Sequence, residues 1–171
     1  MIVAAGRGTR FGRPKQLIEI AGRPMLAWSL QTFATMPEIG AIVVATERDW
    51  LGAVKDVTSA FCAQCEISVV GGGATRQASV RCGLDALASQ YDAVLVHDGA
   101  RPLVRADDVR VGMREVRAGR AALLAVPAID TIKIVNPATL RVQDTLDRRT
   151  LWAAQTPQFA WAEDLRLAHA Q

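Results

Sequence analysis

Five short apolar runs punctuate the chain, at residues 1–5, 41–45, 67–70, 93–96 and 121–126. Each is too short for a core helix and too uniformly apolar for a strand with one wet face. Helical patterns fill the intervals. Pro24 is placed to begin one helix, which Met25, Leu26, Trp28, Leu30 and Phe33 carry and Pro37 closes. A second runs over about 49–60. In a third, Val80, Gly83, Leu84 and Leu87 stand at i, i+3, i+4 and i+7, and Asp107 and Asp108 open a fourth. Strands alternating with helices predict an α/β fold with a mostly parallel sheet covered on both faces. Ligands of such sheets bind at the carboxyl ends of the strands.

Glycine and charge concentrate at those ends. The first run leads into Gly6-Arg7-Gly8-Thr9-Arg10-Phe11-Gly12-Arg13-Pro14-Lys15, with three glycines and four cations. Loop N–H groups and fixed cations together suit a polyphosphate. A plain α/β turn is the competing reading. The spacing fits neither a dinucleotide fingerprint, which needs glycine where Phe11 stands, nor a Walker A loop, since Arg13 follows Gly12. A short extended piece at 17–20 and a turn at 21–23 come next. The third run ends in Gly71-Gly72-Gly73-Ala74-Thr75-Arg76, and the fourth in His97-Asp98-Gly99-Ala100-Arg101-Pro102.

At 171 residues, half of them hydrophobic, the chain is expected to form a single domain over 1–171. The net charge of +3 is small and spread along the chain, without the basic run of a nucleic-acid arm. No apolar stretch approaches the roughly 20 residues that span a bilayer, so the expectation is a cytoplasmic protein with neither a nucleic-acid nor a membrane partner. Three cysteines argue against a disulfide framework. Cys62 and Cys65 have no second pair and no nearby histidine to complete a zinc site, and a structural role is expected for them; Cys82 is expected in the core.

From Pro127 the rhythm changes. Ile129, Ile132 and Ile134 alternate with polar residues, a turn follows at 136–139, and 141–146 alternates again. This predicts a two-stranded ribbon over 127–150. Such a ribbon is not stable alone in water. Two readings stand: an arm that pairs two subunits, or a flap packed on its own domain. A strand at 151–154 follows, and 155–159 leads into a final helix.

Several of these segments resemble, in order, the cytidylyltransferases of the non-mevalonate isoprenoid pathway. They are Ala4 through Arg10, Pro14-Lys15-Gln16, the run from Val96 to Pro102, Asp130-Thr131-Ile132-Lys133, and the run from Leu151 to Gln158. The resemblance implies a Rossmann-like nucleotidyltransferase sandwich with a protruding β-ribbon arm. It also implies a reaction in which the phosphate of 2-C-methyl-D-erythritol 4-phosphate attacks the α-phosphorus of CTP and pyrophosphate leaves. The nucleophile is already an anion, so positioning and charge neutralisation suffice, with no general base.

Carried over position by position, the resemblance makes Arg10 and Lys15 the catalytic cations. Ala4, Ala5, Gly6, Gly8, Thr9, Gly73, Ser79, Asp98 and Gly99 bind the nucleotide, and Asp98 also holds Mg²⁺. Arg101, Thr131, Arg148 and Thr156 bind the phosphorylated polyol, with Thr131 and Arg148 reaching across from the partner's arm in a homodimer. Plainer readings remain: Arg101 as a structural partner of Asp98, Thr131 as an ordinary ribbon residue, Arg148 in a solvated turn. Arg76 matches the same element as Ser79 and is a weaker candidate for a ligand contact. Two departures stand out: Ala74 replaces an aspartate common in the family, and the sequence stops before the family's last segment, so the domain is expected to be incomplete at its C-terminus. Cytidylyl transfer to another alditol phosphate, such as ribitol 5-phosphate, and a non-catalytic nucleotide-binding module are the rival functions.

Overall fold

A computed structural model of the chain describes residues 1–6, 14–61 and 65–170. The apolar runs become strands β1 (Ile2–Ala4), β4 (Ala41–Thr46), β5 (Glu66–Gly71), β6 (Ala93–Asp98) and β7 (Ala122–Pro127). Between β1 and β4 lie a two-residue hairpin, β2 (Glu19–Ile20) with β3 (Arg23–Pro24), and helix α1 (Met25–Ala34). Helices α2 (Leu51–Ser59), α3 (Arg76–Asp85) and α4 (Ala106–Arg117) follow β4, β5 and β6. A separate ribbon pairs β8 (Lys133–Val135) with β9 (Val142–Thr145), and β10 (Trp152–Trp161) runs into α5 (Ala162–Ala170).

The main sheet has the order β5-β4-β1-β6-β10-β7. Its first four strands are parallel, whereas β10 is antiparallel to both neighbours. Alternation along the strands splits the core between two faces. Leu95 joins Ile2, Leu26, Leu30, Phe33, Val44, Val54, Val109 and Val116 on the side of α1, α2 and α4. Val94 and Val96 join Met1, Val80, Leu84 and Ala162 on the side of α3 and α5. Both faces are covered, which is why the strands read as unbroken apolar runs. Helix α4 lies so close to β10 that a Cβ on Gly112 would stand 2.3 Å from the Phe159 ring.

Three expectations are corrected. The strand expected at 151–154 with a lead-in at 155–159 is one ten-residue strand, β10. Pro157 lacks an N–H, and β10 tolerates it because the paired register skips 155–157 on both sides. Pro24 does not begin α1 but caps it, extended at φ −51° and ψ 139° and paired with Glu19 in the small hairpin. Cys82 is half-buried on α3 and lies outside the core.

The ribbon forms with its turn where expected: the Asn136 side-chain oxygen accepts from the N–H groups of Ala138 (2.9 Å) and Thr139 (3.1 Å). Every residue of β8 and β9 is exposed, so the ribbon does not pack on its own domain. Its base is tied by Ala128 N–H donating to the Leu151 carbonyl at 2.9 Å and by Arg148 Nη1 donating to the Ile129 carbonyl at 3.0 Å. Among the described residues no helix is long and apolar enough to cross a membrane.

Candidate active site

A cleft of about 800 Å³ opens at the carboxyl ends of β1, β4, β5 and β6. It brings together Ala4, Ala5, Gly6 and Lys15 from the first loop, Gly73, Arg76 and Ser79 from the second, and Asp98 from the third. Gly8, Thr9 and Arg10 lie outside the described residues, as does Cys62. Lys15 thus lines the same cleft as Ala4–Gly6, although 10 positions separate Ala5 from Lys15 in the chain.

The second loop owes its shape to absent side chains. A Cβ on Gly73 would fall 2.4 Å from that of Ala78, and one on Gly72 would fall 2.6 Å from that of Ala5. Thr75 then caps α3, its hydroxyl oxygen accepting from Ala78 N–H at 3.0 Å. Ser79 is buried, and its hydroxyl donates to the Gly73 carbonyl (3.2 Å) or the Thr75 carbonyl (2.9 Å) while accepting from Gly73 N–H at 3.1 Å. In this state Ser79 shapes the loop from behind.

Asp98 is the electrostatic centre of the far wall. One carboxylate oxygen accepts from Arg76 Nε at 3.0 Å and the other from Arg101 Nε at 3.2 Å. Arg76 also donates to Gln158 at 3.3 Å, and Arg101 donates to Gln155. The reading of Arg101 as a partner of Asp98 is therefore realised, and Arg76 shares that role. Gly99 donates its N–H to the Val3 carbonyl at 2.8 Å, and a Cβ there would meet Ala4 at 3.2 Å. Thr156 is buried beneath Asp98, and its hydroxyl oxygen accepts from Asp98 N–H at 3.2 Å. Thr131 and Arg148 do not join this cleft; they stand at the base of the ribbon.

A hard divalent cation asks for oxygen ligands, and Mg²⁺ is commonly held by one or two carboxylates plus substrate phosphates and water. Among the described residues no group of three or more His, Cys, Asp or Glu forms a protein-only cage. Asp98 fits the leaner arrangement. An ionised carboxylate has about four lone-pair sites, and the two arginines use two of them while the side chain stays 30% exposed beside the cleft.

Several cleft residues carry no motif in the sequence. Glu47, Arg48 and Asp49 follow β4 and line the same cleft. They stand at a strand's carboxyl end, the signal used for the other loops, but no glycine drew attention to them. Gln16 is buried with its amide donating to the Ala4 carbonyl, which ties the two ends of the first loop together. The Cys65 thiol is pushed up by burial, away from a reactive thiolate.

A doubly covered, mostly parallel sheet with a glycine-walled, cation-bearing cleft at its carboxyl edge defines a Rossmann-like nucleotidyltransferase. The family model of 2-C-methyl-D-erythritol 4-phosphate cytidylyltransferase matches residues 1–171. The chain is 44% identical to that enzyme of Streptomyces coelicolor over 168 residues, covering 92% of this chain and 62% of the relative. It is 41% identical to the enzyme of Prochlorococcus marinus over 180 residues, covering 100% and 76%. Among solved structures, 4-diphosphocytidyl-2C-methyl-D-erythritol synthase of Anaerococcus prevotii superposes with a TM-score of 0.86 at 30% identity, covering 99% of this chain and 73% of that one. The Francisella tularensis enzyme gives 0.78 at 30% identity, covering 99% and 75%. The chain belongs to the 2-C-methyl-D-erythritol 4-phosphate cytidylyltransferase family. Its class of chemistry is CTP-dependent cytidylyl transfer in the non-mevalonate pathway, with a divalent metal.

Proposed function

We propose that this chain transfers the cytidylyl group of CTP to 2-C-methyl-D-erythritol 4-phosphate in the cleft between Lys15 and Asp98. The convergence of the Ala4–Gly6 backbone, Lys15, the Gly72–Gly73 turn and Asp98 on that one cleft carries the reading. The acceptor's phosphate is the nucleophile and needs no proton removed. The protein's work is to hold two polyanions in line and to offset charge building on the α-phosphoryl oxygens. Lys15 and Arg10 supply fixed positive charge. Ala4, Ala5, Gly6, Gly8 and Thr9 line the nucleotide with backbone; Gly73, Ser79 and Gly99 shape its pocket.

Asp98 would offer the carboxylate for Mg²⁺, which when bound would offset negative charge on the phosphates. Its two arginines brace the carboxylate where it lines the cleft. Arg101 and Thr156 serve the acceptor's side of the site, Arg101 bracing the Asp98 carboxylate and Thr156 its backbone N–H.

Thr131 and Arg148 serve the partner's cleft in a homodimer joined by the ribbons. The exposed Ile129, Ile132, Ile134, Val135 and Val142 of the ribbon support this, because they need an apolar cover that their own domain does not provide. The setting that goes with CTP and a soluble polyol phosphate is the cytoplasm. Pyrophosphate release measured with 2-C-methyl-D-erythritol 4-phosphate and with ribitol 5-phosphate tests the assignment, and turnover of the second alone refutes it. Lys15→Ala should cut kcat far more than CTP affinity, whereas equal losses would favour a nucleotide-binding module.

A further inference from the structure

His97 is fully buried, and none of the roles above uses it. It is the penultimate residue of β6, its N–H bonded to the Met1 carbonyl at 2.9 Å, its ring edge-on to Phe33 at 5.1 Å between centroids. Nε2 lies 3.0 Å from the Arg101 carbonyl oxygen. A carbonyl only accepts, so Nε2 carries the proton. Nδ1 lies 3.1 Å from the Thr156 hydroxyl, and that hydroxyl oxygen accepts from Asp98 N–H at 3.2 Å. The neutral Nε2–H tautomer satisfies every atom in one direction: Asp98 N–H to Thr156 oxygen, Thr156 O–H to Nδ1, and Nε2–H to the Arg101 carbonyl.

We infer that His97, acting with Thr156, is a positioning residue for cytidylyl transfer that sets the backbone at both ends of the Asp98–Arg101 turn. The turn is closed on its inner side by Arg101 N–H donating to the Asp98 carbonyl at 3.0 Å. That bond alone leaves the Asp98 N–H and the Arg101 carbonyl unpaired, and the histidine and threonine take up both. The carboxylate of this turn lines the cleft, and the Arg101 guanidinium braces it from one side as Arg76 does from the other. Their aim depends on a backbone fixed from beneath, and neither His97 nor Thr156 lines the cleft. Displacement of such groups by about 1 Å costs about a hundredfold in rate. The inference rests on the function proposed above.

The test is a set of His97 variants. His97→Gln keeps an amide N–H within reach of the Arg101 carbonyl. His97→Asn keeps only the partner for Thr156, and His97→Phe keeps neither. Expected are kcat losses of about ten- to a hundredfold for Asn and Phe, KM for CTP within about threefold, and recovery to within about threefold for Gln. Thr156→Val should lose kcat where Thr156→Ser keeps it, which secures the test if His97→Phe does not fold. Two readouts need no turnover. Imidazole ¹⁵N NMR at pH 7 should show the Nε2–H tautomer, and hydrogen exchange at the Asp98 amide should speed at least about tenfold in Thr156→Val. An Nδ1–H tautomer, unchanged exchange, or Phe and Asn variants with wild-type kcat overturns the inference. A wild-type chain that turns over no acceptor overturns the proposed function instead, while the tautomer and the exchange still decide this point.

Discussion

Acid should destabilise this fold through His97, in a pH window fixed by its burial. Removal from water pushes the imidazole from 6.5 down to about 4; the Arg101 carbonyl and the Asp98 charge oppose that fall only in part. The unfolded chain binds a proton at His97 near pH 6.5, whereas the folded chain refuses it until about pH 4. The contribution is therefore fully present above pH 6.5, falls as pH drops from 6.5 to 4, and is gone below. At about 1.4 kcal/mol per pH unit, the gap amounts to about 3 kcal/mol. Domains of this size are stable by only about 5–15 kcal/mol.

The assay is urea unfolding of the metal-free protein in chelator, followed by tryptophan fluorescence between pH 8 and pH 4. With a slope of about 2 kcal/mol per molar, His97 should lower the midpoint by about 1–2 M across the window. Other groups titrate there too. The buried Met1 amine, pushed from 8.0 down to about 5, adds its own slope over that range. His97→Gln, which does not titrate, removes only the histidine's share. The stability difference between wild type and variant should be flat above pH 6.5, then move by about 3 kcal/mol toward the variant by pH 4. Parallel curves down to pH 4 would mean that the imidazole takes a proton equally well in both states, and the burial argument fails.

Gly112→Ala should destabilise by about 1–3 kcal/mol and lower Tm by several degrees, because its Cβ would stand 2.3 Å from the Phe159 ring; an unchanged Tm would mean that α4 does not sit so close to β10. Gly73→Ala should weaken CTP binding by about tenfold in calorimetry with the circular dichroism spectrum preserved, since the methyl collides with Ala78 at the cleft wall. Asp98→Asn should raise the Mg²⁺ concentration for half-maximal pyrophosphate release by at least about tenfold. If the ribbons join a homodimer as proposed, the unsubstituted chain should sediment as a dimer, and Ile134→Asp combined with Val142→Asp, on exposed ribbon residues, should yield a monomer.

Strand and helix identity was legible where periodicity was strong. Residues 41–45, 67–70 and 93–96 read as doubly covered strands and became β4, β5 and β6, each a residue or two longer. The cleft was legible for a related reason: glycine, which marks a close backbone approach, recurs after β1 and β5. It was not legible after β4, where Glu47, Arg48 and Asp49 line the same cleft without any glycine. The last strand was misjudged because Pro157 reads locally as a break. Only the tertiary register, which skips 155–157, lets an extended strand carry it.

That misjudged strand explains why the far wall was the least legible part of the site. By entering antiparallel between β6 and β7, β10 brings Gln155, Thr156 and Gln158 under a turn more than 50 positions earlier. In the sequence, His97-Asp98-Gly99-Ala100-Arg101 reads as an exposed loop whose charged pair decides its own geometry. In the fold, Arg101 is held by Gln155, Arg76 by Gln158, and the backbone of Asp98 by Thr156. A parallel strand in that place would present its own carboxyl end to the cleft alongside β6. The antiparallel one instead lays its middle beside β6's end, so uncharged amides and a hydroxyl meet the arginines and the aspartate. The two arginines then orient Asp98 without a second carboxylate nearby. Among the described residues Asp98 is then the one acid that the turn after β6 brings to the cleft, Glu47 and Asp49 coming from the loop after β4. A divalent cation held on that side therefore has Asp98 as its protein carboxylate and takes its other oxygens from phosphate and water.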